Sequence, residues 1–229
     1  MRRVFAICSI VGLLLFTNAA YSPAQEADVV KLPEPQTDGG KPLMQALKLR
    51  KSTRGDFGPE EKLSLQTLSN LLWAADGVNR PDGHRTAPSA VDWQNVHIYV
   101  ATADGLFLYD APKHELKVIL KQDVRAISGL EGAAGPMQQE FAKTAPVSLV
   151  YVGDMAKTGG MKYGGEDVGL TWTYTGAGAI AQNVYLFCAS EGLACILRAL
   201  IDAEKIAEVF KLGPNQKVLL TSTIAQFKK

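Results

Sequence analysis

The sequence is short of the usual chemical signatures. It has three cysteines and three histidines in 229 residues. Cys8 falls in the first apolar run, which leaves Cys188 and Cys195. Placed on one helix, seven residues apart, these two would be separated by about 10.5 Å along the axis, beyond disulfide reach. On that placement the pair reads as two small buried hydrophobes, with pairing in an oxidising compartment as the alternative. His84, His97 and His114 lack metal-ligand spacing, so no residue is assigned to a metal. There is no GxGxxG or Walker loop, no Gly-x-Ser-x-Gly elbow and no internal repeat. Neither sign of charge is in excess, with 24 Lys+Arg against 23 Asp+Glu. Without residues 1–24 the balance is 22 to 23, which gives no basis for a nucleic-acid partner.

What is present begins with Arg2 and Arg3 ahead of the apolar run Val4 to Phe16, followed by small residues and Pro23. This predicts a secretory signal over residues 1–24, cut after Ala20 or Ala24, and hence an exported, periplasmic protein. The run is short of the roughly 20 residues of a membrane span; an uncleaved anchor is the alternative. Arg2-Arg3-Val4-Phe5 also resembles a twin-arginine core, although only Met1 precedes it. Residues 25–41, polar and rich in proline and glycine, read as a linker or a loosely docked arm. Residues 42–229 then suit one domain.

Within that domain the apolar spacing predicts a short helix over Leu43 to Leu49 and a second from Leu65 to Gly77, capped by Ser64. Val96 to Thr102 and Leu106 to Tyr109 read as a hairpin, and Val147 to Val152 as a strand covered on both faces. Ala177 to Glu191, apolar almost all round, predicts a buried helix with Gly192 as its C-cap. Asp202 caps a helix through Phe210, and Lys217 to Ile224 is a closing strand. The order predicts an α+β sandwich on a buried mixed sheet.

Three polar clusters stand out. In Arg50-Lys51-Ser52-Thr53-Arg54, two guanidinium groups flank a hydroxyl at a helix end and can clamp a phosphate dianion; a solvated basic turn is the plainer reading. Arg85 to Asn95, long and built of small and polar residues, lets a planar ring approach the backbone, or is a structured surface loop. Gln182 and Asn183 sit in the apolar helix, where buried amides need partners.

Together these clusters resemble one family, the FMN-dependent nitroreductase-like proteins, and in particular its small single-domain members. Arg50 to Arg54 with Phe57 looks like the family's Arg-x-Ser-x-Arg/Lys clamp. Arg85-Thr86-Ala87-Pro88-Ser89-Ala90 with His97-Ile98-Tyr99-Val100 is similar to its flavin-facing loop and first long strand. Ala179 to Leu186 through Gly192-Leu193 is similar to its dimer helix, and Thr223 to Lys228 to its closing segment. The resemblance implies a nitroreductase-like α/β sandwich with a mainly antiparallel sheet, a helix-mediated homodimer, and FMN at the interface. It further implies that Arg50, Lys51, Ser52, Arg54 and Lys228 hold the phosphate, that Pro88, Ser89, Ala90, Asp92 and Gln94 face the ribityl chain and ring, and that the turn from Gly192 to Arg198 covers the ring. Asp92 stands where the family usually carries asparagine, and Ala225-Gln226-Phe227 replaces Gly-Tyr-Pro. No catalytic side chain is assigned, because the cofactor carries the chemistry. The implied activity is ping-pong reduction of a quinone or nitro compound, with NADH or NADPH as the usual donor; the signal expected over residues 1–24 points instead to a membrane quinol or a redox partner as donor. A non-catalytic flavin-binding protein or a flavin-free dimeric protein of the same fold is the alternative.

Overall fold

The computed structural model describes residues 28–58, 61–128 and 141–228. The signal expected over residues 1–24 lies outside them. Seven strands form one sheet: β1 (Val29–Lys31), β2 (Val96–Thr102), β3 (Gly105–Asp110), β4 (Glu115–Leu120), β5 (Val147–Asp154), β6 (Leu193–Arg198) and β7 (Gln216–Gln226). Their order is β1-β4-β3-β2-β5-β7-β6, and every pairing is antiparallel, so the sheet is not mixed. The helices are α1 (Leu43–Leu49), α2 (Leu65–Asp76), α3 (Arg125–Ser128), α4 (Phe141–Thr144), α5 (Glu166–Glu191) and α6 (Ala203–Phe210).

Side-chain alternation along the strands separates two apolar layers. On one face Ile98, Val100, Leu149 and Ile224 pack under Leu71 and Leu72 of α2 and Ile180, Val184 and Cys188 of α5. On the other, Tyr99, Val150 and Val152 pack against Ile206 and Phe210 of α6. Strand β5 is accordingly buried from Val147 to Gly153, as its unbroken apolar run requires. The caps are local: Ser64 accepts from Thr67 N–H, and Asp202 from Lys205 N–H.

Several elements differ from expectation. Helix α5 begins eleven residues earlier than its apolar stretch, opened by Glu166 and Asp167, whose charge suits a helix N-terminus. It is not covered all round: Thr171, Tyr174, Thr175 and Gln182 form an exposed stripe at helical spacing. Gln182 is therefore not a buried amide, whereas Asn183 donates to the Ala75 carbonyl at 3.3 Å. Leu193 to Arg198 is strand β6 rather than a turn. The segment read as a linker is docked over residues 28–41. There β1 pairs with β4, Lys31 is bonded to the buried Glu115, Ser69 Oγ donates to Pro33 O at 2.5 Å, and Lys41 N–H donates to Ser190 Oγ at 2.8 Å.

Candidate functional site

Strand β6 is the last in the sheet, so the backbone groups of its outer edge need partners from outside the ladder. Two come from the basic cluster and the helix above it. Thr53 N–H donates to the Cys195 carbonyl at 2.9 Å, and Leu197 N–H donates to the Tyr185 hydroxyl at 2.7 Å. The same hydroxyl is hydrogen-bonded to Ser52 Oγ at 2.8 Å, and the Arg50 guanidinium lies 5.3 Å from the centre of the Tyr185 ring. Tyr185 thus pins residues 50–53 to the edge of β6. Nothing in the sequence singled it out; the available signal was its buried phenol, which must find a partner.

The chain's end arrives at the same place. Phe227 bridges to Phe57, Gly58 N–H donates to Gln226 O at 2.8 Å, and Lys228 N–H donates to Asp56 O at 3.0 Å. In the segment Ala225-Gln226-Phe227, which stands where the resembling pattern has Gly-Tyr-Pro, the Phe227 ring centre lies 5.0 Å from Lys51 Nζ. Between these pieces opens a cavity of about 240 Å³ lined by Lys51, Tyr185, Cys188, Gly192, Cys195 and Phe227, among others, with no carboxylate in its wall. Among the described residues, none of Arg50, Lys51 and Arg54 is paired with a carboxylate. Three cations without acidic partners in one short segment, one of them lining a cavity, are a place for a dianion.

The second cluster forms a separate structure. Ser89 Oγ accepts from Gln94 N–H at 2.8 Å, and Ala90–Asp92 makes a single tight turn. Val91, Asp92 and Gln94 all have left-handed backbones, at φ 49°, 53° and 44°. For non-glycine residues this costs on the order of 1 kcal/mol each. Trp93, 5.5 Å from Trp172 and 5.6 Å from Tyr163, holds the turn against α5. Asp92 is 51% exposed and its carboxylate accepts from Gln94 Nε2 at 3.0 Å, so it is hydrogen-bonded, with His84 Nε2 at 3.7 Å. Pro88 is exposed, its carbonyl facing Gly176 of α5. Upstream, Arg85 is paired with Asp76 at 2.5 Å. Burial pushes the Asp76 carboxyl up to about 6, the guanidinium pulling the other way.

One chain does not bring the two clusters together. Gly176 and Tyr185 are nine residues apart on α5, roughly 13 Å along the axis, and no hydrogen bond among the described residues joins residues 50–54 to residues 88–94. Arg198 joins neither. Leu193, Cys195 and Leu197 face α5, so Arg198 points to the opposite face of the sheet, where its Nη2 donates to Thr223 Oγ1 at 2.9 Å. It is 4% exposed, its Nε and Nη1 have no partner, and burial lowers it to about 10.

Fold and cluster geometry define an α+β sandwich with a lysine-lined cavity at a sheet edge, and sequence comparison identifies the class. Residues 47–225 match the model of the Nitroreductase family, and the chain belongs to that family. A Methanocaldococcus jannaschii protein with a provisional nitroreductase name is 32% identical over 164 residues, covering 69% of this chain and 79% of that one. A solved structure from Ralstonia eutropha, also provisionally named a nitroreductase, superposes with a TM-score of 0.77 at 37% identity, over 88% of this chain and 90% of that one. The Lactococcus lactis nitroreductase CinD shares the fold alone, at 18% identity and a TM-score of 0.59 over 81% of this chain and 90% of that one. Membership places the protein among oxidoreductases.

Proposed function

We propose that the protein is an FMN-dependent oxidoreductase that works as a homodimer and passes electrons to an electron-poor acceptor of quinone or nitro type by a ping-pong cycle. The observation that carries this is the trio Arg50, Lys51 and Arg54, unpaired with acids among the described residues, with Lys51 in the wall of the cavity beside Tyr185 and the Arg50 guanidinium over the Tyr185 ring. Their donor set fits a phosphomonoester: two guanidinium forks, an ammonium and the Ser52 hydroxyl. When bound, FMN supplies the hydride-accepting and hydride-donating ring. The chain's own part is to grip the phosphate, to hold the β6 edge through Tyr185 and Thr53, and to shield the cavity floor with apolar side chains.

A second copy supports the reading in two ways. On α1, Leu43 is 62% and Met44 76% exposed, with Leu47 and Leu49 also exposed, more apolar surface than a seven-residue helix leaves in water without a partner. The second is that one chain leaves the 50–54 and 88–94 clusters apart, so that a flavin held by both needs the turn of a partner copy. We also propose export, from Arg2-Arg3 and the apolar run after it, with a membrane quinol or a redox partner as donor, since nicotinamide pools are not kept outside the cytoplasm.

The test is FMN titration of the purified protein followed by anaerobic reduction with a panel of donors. Arg50→Ala and Arg54→Ala are expected to weaken FMN binding about ten- to a hundredfold, and Lys121→Ala to leave it unchanged. Both arginine variants binding flavin as the parent does would refute the clamp. Flavin that binds and is bleached by no donor would mark a carrier, and no binding at all a flavin-free protein.

A further inference from the structure

Cys188 and Cys195 do not lie on one helix. Cys188 lies in the last turn of α5, its carbonyl accepting the N–H of Gly192, which stands in the left-handed region at φ 71° and ψ 33°. That conformation suits glycine and turns the chain back under the helix. Cys195, third in β6, faces α5, and the two cysteines belong to one apolar cluster and line one cavity with Lys51 and Tyr185. The thiols are neighbours, and burial together with the adjacent Cys195 pushes the Cys188 thiol well above its ordinary value. The axial separation that argues against a disulfide on a helix therefore does not apply. Beyond Cys8, these are the chain's only cysteines.

We infer that Cys188 and Cys195 are a dithiol that closes to an intramolecular disulfide in the wall of the clamp cavity. The oxidant is a low-molecular-weight disulfide or a disulfide-exchange protein. One cysteine, as thiolate, attacks the oxidant's S–S bond, forming a mixed disulfide and expelling one thiolate. The second then attacks the mixed bond, forming Cys188–Cys195 and expelling the other thiolate. Both protons pass to the released thiolates; the protein loses two electrons and the oxidant gains them. The bond ties the last turn of α5 to β6 beneath Tyr185, closing a loop of only eight residues. The inference does not depend on the flavin reading.

The full-length protein, without flavin, is equilibrated in glutathione buffers running from fully reduced to fully oxidised, quenched in acid, unfolded, alkylated and cleaved with trypsin. Both cysteines fall in the single peptide Tyr163 to Arg198, clear of Cys8. That peptide is expected to lose about two mass units and both alkyl groups together in native buffer, and to regain them with dithiothreitol. The oxidised protein is expected to melt about 5 to 10 °C higher than the reduced form. Cys188→Ser and Cys195→Ser should each abolish both changes. Two alkylated cysteines at every glutathione ratio, glutathione adducts without ring closure, or a bonded form that melts below the reduced one would overturn the inference; the mass of the parent protein decides even if a variant fails to fold.

Discussion

Replacing Tyr185 by phenylalanine removes one oxygen atom and tests the organisation of the site. That oxygen accepts from Leu197 N–H at 2.7 Å and is bonded to Ser52 Oγ at 2.8 Å. Leu197 N–H has no strand beyond it, so the variant strands a backbone donor beneath the 50–54 segment, at about 1 to 3 kcal/mol, and forfeits the serine contact, at about 0.5 to 1.5 kcal/mol. For a chain of this size the sum lowers the melting temperature by roughly 4 to 12 °C. The aromatic ring under Arg50 is retained, so FMN affinity is expected to fall by less than about tenfold, well short of the Arg50→Ala effect. Ser52→Ala, which leaves Leu197 N–H satisfied, should cost stability only about a third as much. Calorimetry and flavin titration read the two effects separately, and hydrogen exchange at the Leu197 amide should rise in Tyr185→Phe alone. Melting within about 1 °C of the parent would refute the assignment of Tyr185 as the pin of the β6 edge.

Arg198→Met removes a buried, half-partnered charge and should raise stability by on the order of 1 to 3 kcal/mol, read by denaturant unfolding; destabilisation would mean the guanidinium has a partner in solution. Asp76, whose carboxyl is pushed up to about 6 by burial, holds its proton more tightly folded than unfolded. The stability it confers is complete below the ordinary 3.8 and is lost as pH rises through about 6. Relative to Asp76→Asn, the parent should therefore lose about 2 to 3 kcal/mol between about pH 4 and about pH 7, and a flat difference would contradict this. Met44→Glu sets a charge on the exposed face of α1 and should shift sedimentation at micromolar concentration from dimer to monomer; an unchanged profile removes α1 from the interface.

Elements whose own side chains carry both periodicity and punctuation were legible from sequence. Ser64 and Gly77 bracket α2, Asp202 opens α6, and Ala103-Asp104-Gly105 turns β2 into β3. Those missed owe their conformation to neighbours. Strand β4 opens with Glu115, a poor strand residue that is buried against Lys31 of β1, 84 positions away. The first half of α5 carries Thr171, Trp172, Thr173, Tyr174 and Thr175, residues of weak helix propensity that give no helical signal of their own without the α2 and β-sheet surfaces. The basic cluster was legible because its residues are contiguous. Its dependence on Tyr185 was not, since that contact spans 133 positions. Arg198 looked like part of the cluster only while β6 was read as a turn; strand alternation sends it to the other face.

The edge of β6 carries a consequence for the protein's life in solution. Residues 50–54 are both a basic cluster and part of the cover on an apolar strand, Leu193-Ala194-Cys195-Ile196-Leu197: Thr53 N–H occupies the Cys195 carbonyl, and Ser52 is bonded to the Tyr185 hydroxyl that accepts from Leu197 N–H. Whatever peels that segment away uncovers outward backbone groups on a strand with no charge before Arg198. Such an edge templates the addition of another chain. Docking of residues 50–54 and resistance to aggregation are therefore linked in this fold.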